Sequence, residues 1–319
     1  MTGLRGMPVL VTGGAGFLGS HLVDALVAAG AQVTAFDDLS DGSLENLSAA
    51  SSQIRFLRGD VRDRAQVFDA VRGQKFVFHL AANADVPRSV REPELDFSVN
   101  VDGGFHVLRA CIEEGARLVF SSSAAVYGTP RAVPVSEDHP RNPVSPYGAA
   151  KSAVEDLGFA SAQVHGLQFT AVRIFNTFGE RQPRYVMFDL LRKLASDKTR
   201  LEVLGTGAQL RSYCHVSDAC RLFLAAALSP ATLGRAVNLV GADAFTIAQL
   251  AERILRILGL ERVPVSFTGQ SWPGDIPVLS GNGAWAREHL GFVPGLPFDQ
   301  GMLRLIEWLE RTKGWKLRS

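Results

Sequence analysis

Thr12-Gly13-Gly14-Ala15-Gly16-Phe17-Leu18-Gly19 decides the fold of this chain. An apolar run, residues 8–11, leads into it, and an amphipathic run, residues 17–29, leaves it. The glycines therefore stand where a strand turns into a helix. Gly13, Gly16 and Gly19 supply the positive φ angles and close backbone approach that such a turn needs. A helix starting there offers free N–H groups and the positive end of its dipole to an anion. In that context the pattern predicts a seat for the pyrophosphate of a dinucleotide.

Outward from this turn, strand patterns at 32–36, 54–57, 76–80, 118–120 and 169–174 alternate with helical patterns at 64–71, 93–114 and 148–164. Such alternation predicts an α/β fold, a parallel sheet covered on both faces and doubly wound by right-handed crossovers. Beyond Asn176 the rhythm changes. Helical patterns at 185–195, 216–228, 247–258, 284–290 and 298–311 accompany one short strand, 201–204. The expected organisation is a dinucleotide-binding domain over 1–176, to which 211–242 returns. A smaller substrate domain is expected from 177–210 and 243–319, with a cleft between the two.

Of the 319 residues, 46% are hydrophobic and 20% charged, which is ordinary globular material with a core. The net charge of +1 and the absence of any lysine or arginine run argue against a nucleic-acid or anionic-membrane partner. Cys111, Cys214 and Cys220 have no metal-like spacing and read as buried thiols in a reducing compartment. No metal site is expected. Arg5 and the apolar residues after it loosely resemble a signal peptide, but they run into the glycine turn and read instead as a first buried strand. No stretch approaches the roughly 18 apolar residues of a membrane span. A soluble, cytoplasmic protein is expected.

Asp37 closes the second strand. A carboxylate there accepts hydrogen bonds from the adenosine ribose and repels a 2′-phosphate, which favours NAD over NADP. Asp38 follows it. Asp60, in Gly59-Asp60-Val61, either accepts from an adenine amino group or caps a helix.

Further on, Phe120-Ser121-Ser122-Ser123-Ala124-Ala125-Val126-Tyr127-Gly128 precedes Pro146-Tyr147-Gly148-Ala149-Ala150-Lys151. A tyrosine, with a reference pKa near 10, is too weakly acidic to serve as a base at neutral pH unaided. Lys151, one helical turn on, shares its face, and an ammonium beside a cationic nicotinamide ring favours the phenolate. A dinucleotide seat, a hydroxyl, and a base beside a cation suit hydride transfer at a carbon that bears a hydroxyl.

Taken together, residues 12–19, Asp37, Asp60-Val61, His79-Leu80-Ala81-Ala82, Asn100, residues 121–128, Tyr147 with Lys151, Phe175-Asn176, and Arg211 after Gly205-Thr206-Gly207-Ala208-Gln209-Leu210 resemble one family along essentially the whole chain. It is the NAD-dependent nucleotide-sugar epimerase/dehydratase family of extended short-chain dehydrogenases/reductases. The resemblance implies a Rossmann domain and a tightly held NAD. Its contacts would be Gly13, Gly16, Phe17, Leu18, Asp37, Asp38, Asp60, Val61, Leu80, Ala81, Ala82, Asn100, Tyr147 and Lys151.

The same resemblance makes Ser123, Tyr147 and Lys151 the catalytic residues, and the substrate a nucleoside-diphosphate sugar. It places Asn176 and Arg211 on the diphosphate, where a guanidinium fork suits phosphate, with Arg181 joining them. Asp275 and Tyr127 would meet the substrate, Tyr127 at the sugar. Arg88 either lines the cleft or is a solvated surface arginine. Trp272 and Ser212 depart from the arginine and aspartate usual in the family. Leu279 stands where side-chain size governs entry of a 2-acetamido group, and its intermediate size leaves the sugar open. A homodimer through helices resembling 93–114 and 148–164 is also implied.

The family's dehydratases carry acidic residues just after the catalytic hydroxyl, and its decarboxylases a glutamate. This chain has Ala124 and Ala125, which transfer no protons. The resemblance therefore implies a 4-epimerase acting through a transient 4-keto sugar on UDP-glucose/UDP-galactose or the N-acetyl pair. The alternatives are a UDP-glucuronate 4-epimerase, a sugar-nucleotide dehydrogenase or ketoreductase with net hydride transfer, and a silent NAD-sensing protein. Intact Ser123, Tyr147 and Lys151 argue against the last.

Overall fold

Val9, Leu10 and Val11 are all fully buried in the first strand, because helices cover the sheet on both sides. The computed structural model describes residues 2–270 and 274–318. Its strands are β1 (Pro8–Thr12), β2 (Gln32–Asp37), β3 (Ile54–Arg58), β4 (Phe76–His79), β5 (Arg117–Ser123), β6 (Phe169–Ile174), β7 (Asn176–Phe178), β8 (Leu201–Val203), β9 (Leu210–His215), β10 (Arg235–Leu239), β11 (Asp243–Thr246), β12 (Val265–Phe267) and β13 (Val278–Leu279). Its helices are α1 (Phe17–Ala28), α2 (Arg64–Val71), α3 (Val86–Arg91), α4 (Pro93–Phe97), α5 (Gly103–Glu114), α6 (Pro146–His165), α7 (Val186–Ser196), α8 (Val216–Leu228), α9 (Ile247–Leu258), α10 (Ala284–Leu290) and α11 (Phe298–Lys313).

The large sheet has seven parallel strands in the order β10-β6-β5-β4-β1-β2-β3. Side chains alternate across a strand. Val9 and Val11 accordingly pack with Leu22, Leu26, Leu222 and Phe223 of α1 and α8 on one face. Leu10 packs with Val67, Val107, Leu108 and Val154 of α2, α5 and α6 on the other. Each such fully buried side chain contributes about 1.5–3 kcal/mol relative to exposure. The order reverses between β1 and β4, which opens a crevice at the carboxyl ends of those strands.

The remainder forms a second layer. β9 pairs with β7, β11 and β13, and β8 pairs with β12. Leu190, Leu194, Leu250, Ile254, Leu305 and Leu309 of α7, α9 and α11 share its core. Within the segment 211–242, residues 211–215 belong to β9, α8 follows, and β10 pairs with β6 at the edge of the large sheet.

The helix expected over 93–114 is broken. A widened π turn, Ser98–Asp102, separates α4 from α5. The buried Asn100 amide donates to Asn83 O at 3.1 Å and Asp96 Oδ1 at 2.9 Å, and these bonds hold the turn in place of a regular helix. α3 was not foreseen; Asp85 caps it by accepting from Arg88 N. Cys111 lies in the α2–α5–α6 layer and Cys214 and Cys220 in the α1–α8 layer. All three are free and buried, with their thiols pushed up by burial. Among the described residues no helix is long and apolar enough to cross a membrane.

Candidate active site

A cavity of about 900 Å³ opens at the carboxyl edge of the large sheet, beneath the second layer. The glycine turn forms one end. Gly13 has φ +67°, and a Cβ on it would meet Ala81 N at 2.6 Å. A Cβ on Gly19 would sit 2.0 Å from Gly13 O, so Gly19 serves helix–turn packing. Only Gly13 of the three has positive φ. A Cβ on Gly16 would meet just Gly13 O, at 3.2 Å, and Gly16 lines the cavity with its bare backbone. No side chain caps α1 at Gly16, leaving its first amides for an anion.

Asp37 is buried at the end of β2. Its carboxylate accepts from Ala15 N at 2.9 Å and Leu39 N at 2.8 Å. Burial pushes this carboxyl above the usual range, and the two amides oppose that. Asp38 holds its own turn by accepting from Ser40 N and Ser40 Oγ. Asp60 is gripped by Arg62, whose Nε lies 2.8 Å from Oδ2; that hydrogen bond keeps its carboxyl low. The helix cap proposed for Asp60 belongs to Asp63, which accepts from Ala65 N and Gln66 N. Phe17, Leu18, Val61, Leu80, Ala81 and Ala82 complete this half of the lining. The bare Gly16 backbone and the seated Asp37 carboxylate fit a pyrophosphate and an adenosine ribose.

The other half is chemical. Ser123 ends β5, Tyr147 and Lys151 lie on the first turns of α6, and all three line the cavity. Ser145 caps α6 by accepting from Gly148 N. A Cβ on Gly148 would stand 2.6 Å from Ala125 O, so the helix can approach the strand end this closely only with glycine there. Burial raises the Tyr147 phenol, as does the nearby Tyr185 phenol; the hydrogen bond with Ser123 and the charge of Arg184 act the other way. Lys151 Nζ sits 5.8 Å from the Tyr147 ring centroid and 4.9 Å from that of Phe120. The Lys151 ammonium thus lies against these two ring faces, and both Lys151 and Tyr147 line the same cavity. Burial pulls the Lys151 ammonium down to about 8, with Asp96 opposing. The buried Asp96 accepts from Asn83 and Asn100.

Beneath the site lies a polar network. Glu155, fully buried and four residues beyond Lys151, accepts from Ser122 Oγ at 2.5 Å and from Arg173 NH2 at 2.7 Å. Arg173, across the ladder from Ser122, donates to Tyr127 Oη at 2.9 Å. Tyr127 in turn donates to Asn238 Oδ1 at 2.6 Å.

On the substrate side, Asn176 donates to Ser212 O at 3.1 Å, and Arg211 donates to Asp275 Oδ1 at 2.6 Å. Asn176, Arg211, Asp275 and Arg88 line the cavity, and Arg88 bonds Glu92. Four expected residues do not line it. Tyr127 is fully buried, its hydroxyl taken by Arg173 and Asn238, so it cannot touch a sugar directly. Leu279 packs inward with Tyr127, Phe175, Val240 and Ile276. Arg181 turns away to Asp24 on α1 at 2.7 Å. Asn100 sits behind Asn83 and Asp96. Trp272 lies outside the described residues.

The sequence reading missed Asp96, Glu155, Arg184 and Tyr185. Glu155 had a signal, since it continues the spacing of Tyr147 and Lys151 along one helix face. Arg184 and Tyr185 had none, because they reach the cavity from a loop of the second layer.

Residues 9–240 match the NAD dependent epimerase/dehydratase family. A UDP-glucose 4-epimerase of Azospirillum brasilense is 33% identical over 96% of this chain and 94% of its own. A dTDP-glucose 4,6-dehydratase of Streptomyces niveus is 32% identical over 97% of this chain and 94% of its own. The crystal structure of UDP-glucose 4-epimerase with UDP-glucose from Thermotoga maritima superposes with a TM-score of 0.89, at 31% identity, covering 96% of this chain and 100% of that one.

Proposed function

Because the chain belongs to the NAD dependent epimerase/dehydratase family and its cofactor is NAD, we propose that it is a 4-epimerase of a nucleoside-diphosphate sugar. Its substrates are UDP-glucose and UDP-galactose or the N-acetyl pair. The observation that carries this reading is one hydroxyl–phenol–ammonium group, Ser123, Tyr147 and Lys151, with no carboxyl group in the two positions after Ser123. Ala124 and Ala125 follow Ser123 directly. The carboxylates on the substrate side are each engaged: Asp85 caps α3, Asp189 pairs with Arg192 and Lys193, and Asp275 holds Arg211. A dehydratase reading is favoured by the Streptomyces niveus relative, but elimination of water requires an additional acid and base.

Bound NAD supplies a reversible hydride acceptor. Gly16 and Asp37 would seat it, and Lys151 would hold its nicotinamide ribose. Tyr147 removes the proton from the C4 hydroxyl, and Ser123 donates a hydrogen bond to the same oxygen. Asn176 and Arg211 hold the diphosphate while the keto sugar turns over, and Tyr147 then returns the proton. Exposed Phe97, Phe105, Leu157 and Val164 on α4, α5 and α6 suit a homodimer through those helices.

Incubation of the purified protein with a panel of nucleotide sugars and no added NAD tests the reaction. The expected product keeps the substrate's mass, differs at C4 and carries no solvent deuterium there. Loss of water or carbon dioxide, or stoichiometric NADH, would overturn the epimerase reading.

A further inference from the structure

The loop between β7 and α7 holds three positive φ angles: Gly179 at 148°, Arg181 at 65° and Tyr185 at 76°. Two of these residues are not glycine. A non-glycine residue keeps that conformation only where its surroundings over-determine it, and here they do so at both ends. At the near end, His21 Nε2 donates to Glu180 O at 2.9 Å and Arg181 donates to Asp24 at 2.7 Å. His21 and Asp24 belong to α1, the helix that leaves the glycine turn. The Glu180 carboxylate also lies 3.2 Å from His215 Nε2.

At the far end, Arg184 donates to Asp41 Oδ2 at 2.9 Å and Tyr185 Oη donates to Ala84 O at 2.9 Å. Asp41 follows β2 and Ala84 follows β4, and in the sheet β1 lies between those two strands. Arg184 and Tyr185 therefore reach to both flanks of the strand that leads into Gly13. Together with Gln182 and Pro183 they line the cavity throughout this crossing.

We propose that Arg184 and Tyr185 belong to the cofactor site: tied to Asp41 and Ala84, they form a strap across the glycine turn that retains NAD through turnover. The proposal depends on NAD as cofactor and not on which sugar reaction follows. A half-exposed pair such as Arg184–Asp41 adds little to folding. Breaking it therefore leaves the fold in place and isolates its effect on the cofactor.

The test uses the holoenzyme as purified, loaded with radiolabelled NAD, and follows release of label into excess unlabelled NAD with no sugar present. Asp41→Asn keeps the side-chain shape but removes the charge, and Tyr185→Phe removes only the hydroxyl. Each should speed release by about 3–10-fold, the effect of losing one hydrogen bond, and the double variant should be faster than either, with melting temperatures close to wild type. Should either variant misfold, Arg184→Gln with the same readout takes its place. Release at the wild-type rate in all correctly folded variants overturns the strap, as does wild-type exchange already complete on mixing. A failed epimerase assay leaves this measurement untouched.

Discussion

Ser122 donates a 2.5 Å hydrogen bond to Glu155, joining the end of β5 to α6 one turn beyond Lys151. Ser123 lies one residue along the strand, and Lys151 and Tyr147 lie one and two turns back along the helix. The bond therefore fixes the spacing between the strand-borne hydroxyl and the helix-borne phenol. Arg173 completes the clamp through two nitrogens. Ser122→Ala should lower kcat about tenfold with KM nearly unchanged, since near-attack geometry is sensitive to small displacements. Steady-state kinetics with a thermal melt separates this from loss of fold. An unchanged kcat would make the bond purely structural.

Tyr147→Phe should keep the fold and bound NAD and lose about 10²–10⁴-fold in kcat, the usual share of a positioned acid–base group. Turnover measured on protein with verified NAD content decides it. Near-normal activity would place the base elsewhere.

The pH dependence turns on Asp96. Burial brings Lys151 down to about 8, and the Asp96 carboxylate keeps it from falling further. A lysine lowered on folding loses its ammonium as pH rises through the folded value. The alkaline limb of kcat/KM should therefore fall near pH 8 and move to lower pH in Asp96→Asn. A limb that stays in place would separate Asp96 from Lys151.

Arg211→Ala should raise KM for the nucleotide sugar about 10–100-fold, following loss of a charge-assisted hydrogen bond of about 1.5–3 kcal/mol. Release of NAD should stay at the wild-type rate. An unchanged KM would show that the Arg211–Asp275 pair serves only to join β9 to the segment before β13.

NAD affinity should weaken on acidification with a midpoint above 3.8, because burial raises the folded value of Asp37. Asp37→Asn should abolish that midpoint in a titration of the apoprotein. A midpoint at the ordinary carboxylate value would contradict the burial.

What the sequence carried well was local: the glycine turn, the alternation of β1 to β6, and the Tyr147–Lys151 spacing each depend on neighbours within one or two turns. What it carried poorly was set by distant partners. Tyr127 looked like a sugar contact, but Arg173 and Asn238 claim its hydroxyl from other strands. Leu279 stood at the expected offset from Asp275, yet β13 turns it into the core. Arg184 carries no local mark of the cavity it lines, since Asp41 lies 143 residues away.

The three buried cysteines also make the molecule its own reporter. A thiol held above its usual pKa and away from water reacts with an alkylating reagent only when the surrounding structure opens. Cys111 sits on one side of the large sheet, and Cys214 and Cys220 sit on the other. The order in which they are labelled under native conditions would therefore reveal which helical layer loosens first, with no engineered probe.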